Sequence, residues 1–219
     1  MSIDTAGSGG TVTPDTLSSL AWDKQDGLLP VVVQDAATLR VLMLGYMNRE
    51  ALEMTLACRH VTFFSRSKGR LWTKGERSGH LLKLVAIETD CDSDTLLVQA
   101  HPQGPTCHLE RTSCFPTAPG SFLGDLDALI ARRERERPIG SYTTRLFESG
   151  IRRIAQKVGE EGVETALAAV VQDEAALLGE SADLIFHLLV LLRARGLGLG
   201  EVEAVLRKRH VRAPRPKDP

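Results

Sequence analysis

The sequence predicts two small domains of different class: an α+β N-terminal domain, with a small antiparallel sheet and one helix, and an all-α C-terminal domain, a helical bundle. Two observations carry this. Up to Phe115, short β-like runs alternate with turn residues; beyond it the apolar spacing is helical to the end. Between the halves lies PTAPGS, a Pro/Gly/Ser stretch that reads as a linker.

The first 20 residues are polar and are expected to be a mobile tail. The first domain is placed at 21–115. Its strand candidates are LLPVVV, TLRVLML, HVTFFS, LLKLVAIE and TLLVQA. One helix interrupts them, where Asn48 is a good N-cap for REALEMTLACR. The linker is 116–121 and the second domain 122–212. Helices are expected at about 122–136, 142–172 with a break at Gly150, 174–195 and 200–209. Ser141 is a candidate cap, and the tail APRPKDP repeats the character of the N-terminus.

Composition bounds the function. The chain of 219 residues is 42% hydrophobic and 25% charged, as in ordinary globular proteins. A net charge of -1 lacks the basic excess of a nucleic-acid binder. The N-terminus has neither the basic nor the apolar region of a signal peptide. The longest apolar run, LIFHLLVLL, falls short of a membrane span. A cytoplasmic protein with no nucleic-acid or membrane partner is expected.

Three of the four cysteines, Cys91, Cys107 and Cys114, fall within 24 residues; Cys58 stands apart. Disulfides are a poor default in the cytosol. The grouping suggests three thiolates for one metal, although four unrelated buried thiols would fit the spacing as well. Three sulfurs leave the fourth tetrahedral position of zinc open, as catalytic sites do. His108 follows Cys107 and is read as a general acid or base beside such a metal.

TDCDSD, residues 89–94, threads Cys91 among three aspartates. If the stretch is extended, Asp90, Asp92 and Asp94 share one face and Cys91 takes the other. The carboxylates then suit a hard cation such as Mg2+ and the thiolate suits zinc. The plain alternative is a solvated acidic turn.

From Arg59 to Lys83 there are seven Lys/Arg and one Glu. Cations, hydroxyls and glycine-exposed backbone N–H groups together make a phosphate site. The substrate-binding candidates are Arg66, Ser67, Lys68, Trp72, Lys74, Ser78, Gly79 and His80. A charged hairpin face is the plain alternative.

In the helical half, Glu161/Glu164 and Glu180/Asp183 are both i, i+3 pairs, so each shares a helix face. The midpoint of the four falls at the turn signal Gln172–Asp173. An antiparallel helical hairpin would set both pairs level, where like charges repel without a cation. Mg2+ bridging phosphate oxygens is the simplest occupant. Glu160 reads as a further ligand or as a solvated neighbour, and Lys157 as a phosphate contact. An apolar hairpin this small also suggests a homodimer.

The first half resembles phosphoribosyl-AMP cyclohydrolase over roughly 28–115, through GLLPVVVQDAATLRVLMLGYMN, FFSRSKGRLWTKGERSGH, DCDSD and GPTCHLERTSCF. The second resembles phosphoribosyl-ATP pyrophosphohydrolase over roughly 122–210, through RPIGSYTTRLFESGIRRIAQKVGEEGVE and ESADLIFHLLVLL, and is similar to the wider all-α nucleotide pyrophosphatases. The fusion is that of the bifunctional enzymes of histidine biosynthesis. Gly162 departs from the expected alanine and weakens the helix there.

The resemblance implies a helical domain in which Glu161, Glu164, Glu180 and Asp183 hold Mg2+ and phosphoribosyl-ATP loses pyrophosphate. It implies a first domain in which zinc at Cys91, Cys107 and Cys114 activates water for addition to C6 of the adenine, His108 moves protons and the N1–C6 bond breaks. Mg2+ at Asp90, Asp92 and Asp94 would lie near the substrate. Similar cyclohydrolases are homodimers that draw zinc ligands from both chains. Two other readings stay open: a house-cleaning nucleoside-triphosphate pyrophosphatase with a zinc-binding regulatory domain, and a nucleic-acid-binding zinc module on a helical dimerisation domain. His108 and the basic hairpin argue against the first; the near-zero charge and lack of paired CxxC motifs argue against the second.

Overall fold

The computed structural model describes residues 10–212. Two compact units meet at the chain boundary Ser121/Phe122.

The first unit holds strands β1 (Leu29–Asp35), β2 (Val41–Met47), β3 (Thr62–Ser65), β4 (Arg70–Thr73), β5 (Leu82–Thr89) and β6 (Leu96–Pro102) and helix α1 (Arg49–Cys58). A four-stranded sheet has the order β2-β1-β6-β5, and β3-β4 is a separate hairpin. The expected antiparallel pairing holds for β1/β2, β5/β6 and β3/β4. The central pair β1/β6 is parallel, a correction to the all-antiparallel expectation. Parallel pairing requires a long crossover, and everything from β2 to β5 supplies it. β1 alternates fully buried with half-buried residues, so Leu29, Val31 and Val33 point into the core with Leu42, Leu52, Phe63 and Leu96.

Asn48 caps α1 as expected, accepting from Ala51 N. The expectation of a mobile tail over 1–20 fails for its described part. Thr11 bridges Glu88, Pro14–Ser19 forms a 3-10 helix, and Val12, Leu17 and Leu20 are buried in the core. Three apolar residues in a polar segment were enough to dock it. Residues 1–9 and the APRPKDP tail lie outside the described residues. The 116–121 stretch is tied back to the first unit where Ser121 N donates to Thr38 O at 2.7 Å.

The second unit contains α2 (Phe122–Glu136), α3 (Tyr142–Ser149), α4 (Ile151–Val171), α5 (Glu174–Arg193) and α6 (Leu199–Arg212). The break at Gly150 is real: its φ of 81° lies in the left-handed region, which glycine adopts without strain. Ser141 caps α3 through Thr144 N, and Asp173 caps α5 through Ala176 N. α4 and α5 form the expected hairpin about Gln172–Asp173. The core of the second unit is small, built on Ile130, Leu146, Phe147, Ile154, Leu189 and Val190 from α2, α3, α4 and α5. By length and composition alone α5 is long and apolar enough to cross a bilayer, a test that the core helix of a bundle also passes. Here it packs as a bundle helix, burying His187, Leu189 and Val190.

Candidate active sites

A cleft of about 440 Å³ opens in the first unit. The β3/β4 hairpin and the turn after β4 form one wall, with Lys68, Trp72, Lys74 and Ser78. Gly75 shapes that turn: a Cβ there would sit 2.3 Å from the His80 backbone, and its φ is +86°. The facing wall carries Thr106, His108 and Cys114. Arg66 and Ser67 line a second cleft that shares Trp72, where the Arg66 guanidinium lies 3.7 Å over the Tyr46 ring. Gly79 and His80 line neither cleft. Arg70, Arg77 and Thr106 line the first and were missed, although both arginines belong to the basic run that pointed to it.

The cysteine loop is pinned to β2. Ser113 Oγ donates to Val41 O at 2.7 Å, and Cys114 N donates to Leu42 O at 2.8 Å. The loop closes on itself where Cys107 N donates to Arg111 O at 2.9 Å. Cys107 and Cys114, on the same loop, influence each other's ionisation. A backbone hydrogen bond from Leu109 holds the Cys107 thiol below its usual range, while burial and the Cys107 charge raise Cys114. Two thiols on one loop are a soft donor pair suited to zinc. Cys91 is exposed and joins no cluster with these two among the described residues. Within one chain Cys91 thus stands apart from the loop that carries the other two cysteines.

The aspartates are not on an extended strand. β5 ends at Thr89, and Asp90–Asp94 is a turn with Ser93 at φ 61°. Asp90 Oδ1 locks it by accepting from Asp94 N and Thr95 N, both at 3.1 Å. The alternating-face argument therefore fails, yet the outcome it sought survives. Ligand oxygens of Asp90, Asp92 and Asp94 lie within 4.8 Å of one another. A cation already sits among them: Lys24 Nζ is 2.7 Å from Asp92 Oδ2 and 3.3 Å from Asp94 Oδ2. The site fits a hard cation by donor chemistry and by this stand-in ammonium.

In the hairpin of α4 and α5, Glu161, Glu164 and Glu180 bring ligand oxygens within 4.8 Å. Asp183 falls outside this group and its side chain is exposed. Glu161 is buried, and its carboxylate is held low first by Lys157, whose Nζ is 2.6 Å from Oε1. Lys157 also reaches Glu160 Oε2 at 3.1 Å, and its own pKa is raised by both glutamates. Glu164 is raised instead, by desolvation and then by the charges of Glu161 and Glu180. One carboxylate is favoured as an anion and its neighbour resists ionising, the signature of a cluster short of positive charge. His187 and Tyr142 complete the setting and were not singled out from sequence; both lie in helical runs that read as packing.

The profile of the phosphoribosyl-AMP cyclohydrolase family matches residues 43–116, and that of the phosphoribosyl-ATP pyrophosphohydrolase family matches 123–210. A relative from Xanthomonas campestris pv. campestris, the histidine biosynthesis bifunctional protein HisIE, is 74% identical over 204 residues, 93% of this chain and 99% of its own. The chain belongs to the HisIE family. The HisIE protein of Escherichia coli K12 is 56% identical over 201 residues, covering 91% of this chain and 99% of its own. That of Shewanella oneidensis is 56% identical over 206 residues, covering 94% and 98%. As a HisIE family member the chain is a bifunctional hydrolase. It carries two steps of histidine biosynthesis: loss of pyrophosphate from phosphoribosyl-ATP, and hydrolytic opening of the adenine ring of phosphoribosyl-AMP.

Proposed function

We propose that each activity is served by its own metal-dependent site: a zinc cyclohydrolase site shared between two chains, and a Mg2+ pyrophosphohydrolase site within the α4/α5 hairpin. The observation that carries the first is Cys114 in the cleft with His108, Cys107 buried on the same short loop, and Cys91 joining no cluster with them among the described residues. Cys91 of a second copy completes the set. Zinc bound there supplies Lewis acidity that makes hydroxide available near neutral pH. Trp72 offers a stacking face for the adenine, and Lys68, Arg70 and Lys74 meet phosphate. His108, exposed on the same wall, takes the proton from the attacking water and returns one to N1 as the N1–C6 bond breaks. Asp90, Asp92 and Asp94 would hold a second divalent cation.

In the helical domain, Glu161, Glu164 and Glu180 hold Mg2+ with Asp183 at the margin, and Lys157 with Glu160 set the charge beside them. The cation supplies charge neutralisation for the triphosphate. Lys157, paired with Glu160 and Glu161 here, would be the cation at hand for the phosphates. The anhydride between the α- and β-phosphates is cleaved by water, and pyrophosphate leaves.

The helical surface supports a homodimer as well. Val163, Leu167, Val170, Val171 and Leu178 are all more than half exposed on one hairpin whose buried core is small. A second copy, carrying the same apolar face, is the occupant that a two-fold contact calls for. We place the enzyme in the cytoplasm, where nucleotide substrates and reduced thiols coexist.

Complementation tests the shared site. Cys91→Ala and Cys107→Ala chains, each inactive in ring opening, are mixed after partial unfolding. Heterodimers then regain one intact site each, about a quarter of wild-type activity in the mixture. No recovery from a mixture shown to exchange subunits would place all three ligands in one chain and overturn the shared site.

A further inference from the structure

Lys24 has no part in the chemistry above, yet it makes the most direct contact with the aspartate turn. It lies on a short 3-10 turn, Trp22–Gln25, in the N-terminal segment. Its ammonium donates to Asp92 Oδ2 at 2.7 Å, to Asp94 Oδ2 at 3.3 Å and to the Asp92 carbonyl at 3.4 Å. The two segments are also joined by backbone, Ala21 N donating to Ser93 O at 2.8 Å. The Trp22 indole fixes the turn from below, donating to Leu17 O at 2.9 Å. The lysine is thus delivered from a docked turn and not from loose chain.

Its partners are the oxygens a metal would need. Magnesium binds oxygen at about 2.0–2.1 Å and tolerates little departure from octahedral geometry. A dication that close to Asp92 Oδ2 and Asp94 Oδ2 would stand within a few ångströms of the ammonium and compete with it for the same lone pairs. Both cations cannot keep these carboxylates. We propose that Lys24 is a tethered counter-cation of the Asp90–Asp92–Asp94 site, and that divalent metal binds there by displacing it. The exchange keeps the turn charge-compensated in both states, so the loop that carries Cys91 keeps its shape before metal arrives. It also makes the site bind metal more weakly than three carboxylates alone would.

Magnitudes separate the two effects. The side chains of Lys24 and Asp92 are 47% and 56% exposed, so solvent screens their pair and its effect on folding is small. A dication at contact distance feels the same ammonium with twice the charge.

The inference rests on the metal role proposed for the three aspartates, and the experiment separates the two. Full-length chain is titrated with Mn2+, and free Mn2+ is followed by its paramagnetic signal. Asp92→Asn identifies the class of sites that belongs to the turn. Lys24→Met is expected to tighten that class by about ten-fold and leave the helical class unchanged, whereas Lys24→Arg stays near wild type. Melting in chelator should fall slightly for Lys24→Met and recover with Mn2+. An unchanged or weaker affinity in folded Lys24→Met overturns the displacement. If Asp92→Asn loses no Mn2+, the metal role of the aspartates falls, and the inference with it.

Discussion

The Tyr142 hydroxyl lies 2.9 Å from Nε2 of His187. Nδ1 of the same ring is 2.9 Å from the Asp183 carbonyl, which can only accept, so Nδ1 carries the proton. In the neutral ring Nε2 therefore accepts from Tyr142. His187 is 3% exposed, and Nδ1 stands 3.6 Å from Glu161 Oε1, too far for a second hydrogen bond. The contact ties the start of α3 to α5 beside the carboxylate cluster. Tyr142→Phe removes the donor and leaves a buried nitrogen unpaired, at a cost of about 1–3 kcal/mol. The urea midpoint of the helical unit should fall while ring opening of supplied phosphoribosyl-AMP is unchanged. An unmoved midpoint would show that the hydroxyl is no part of the packing.

Cys107→Ala should abolish ring opening and leave pyrophosphate release near wild type. The substitution removes one sulfur of the cysteine loop in the first unit, whereas the carboxylate cluster belongs to the second. Loss of both activities in a chain with wild-type circular dichroism would rule out independent sites.

Glu164→Gln should do the reverse, lowering pyrophosphate release about a hundredfold or more with ring opening retained. The same variant should melt higher than wild type in chelator at neutral pH. The folded pKa of Glu164 is raised by desolvation and by its acidic neighbours, so its ionisation opposes folding. That penalty is absent below the unfolded pKa and grows as pH rises through the folded pKa. The gap between variant and wild type should therefore close as pH falls into the carboxylate range. A variant that melts lower than wild type across the whole range would contradict a repulsive cluster.

Glu161 has the opposite sign. Its folded pKa is lowered by Lys157, so its contribution to stability is present above the unfolded pKa and is lost as pH falls through the folded pKa. Lys157→Met should remove that contribution and flatten the acid side of the stability profile. An unchanged acid limb would mean that Lys157 does not hold the carboxylate in solution.

Cys58→Ser should leave both activities and the zinc content unchanged. Cys58 ends α1 and is exposed, its sulfur donating to the His60 carbonyl at 3.5 Å. A zinc deficit would place it among the ligands.

What the sequence made legible was local. Asn48, Ser141 and Asp173 are caps because their side chains satisfy helix N–H groups, and that chemistry is visible one residue at a time. The turn at Gln172–Asp173 then fixed which acids face each other, so Glu161, Glu164 and Glu180 were readable as a cluster. Non-local facts were not readable. The parallel β1/β6 pair joins strands more than fifty residues apart, with no pattern in either to name its partner. β4 is four residues, Arg70 to Thr73, hidden in a basic run with no alternation long enough to count. The aspartate turn looked like strand because alternation is all that TDCDSD offers, whereas Asp90 folds it through two backbone N–H groups. Lys24 is an ordinary surface lysine until the N-terminal segment docks.

The most direct test of the whole account is one incubation of the purified, zinc- and magnesium-loaded chain with phosphoribosyl-ATP, following released pyrophosphate and the ultraviolet change of the opened ring together. Two successive active sites predict both signals, with pyrophosphate leading and ring opening lagging. Pyrophosphate without ring opening would contradict a catalytic cysteine site, and the absence of both from a folded, metal-loaded chain would contradict the assigned substrate.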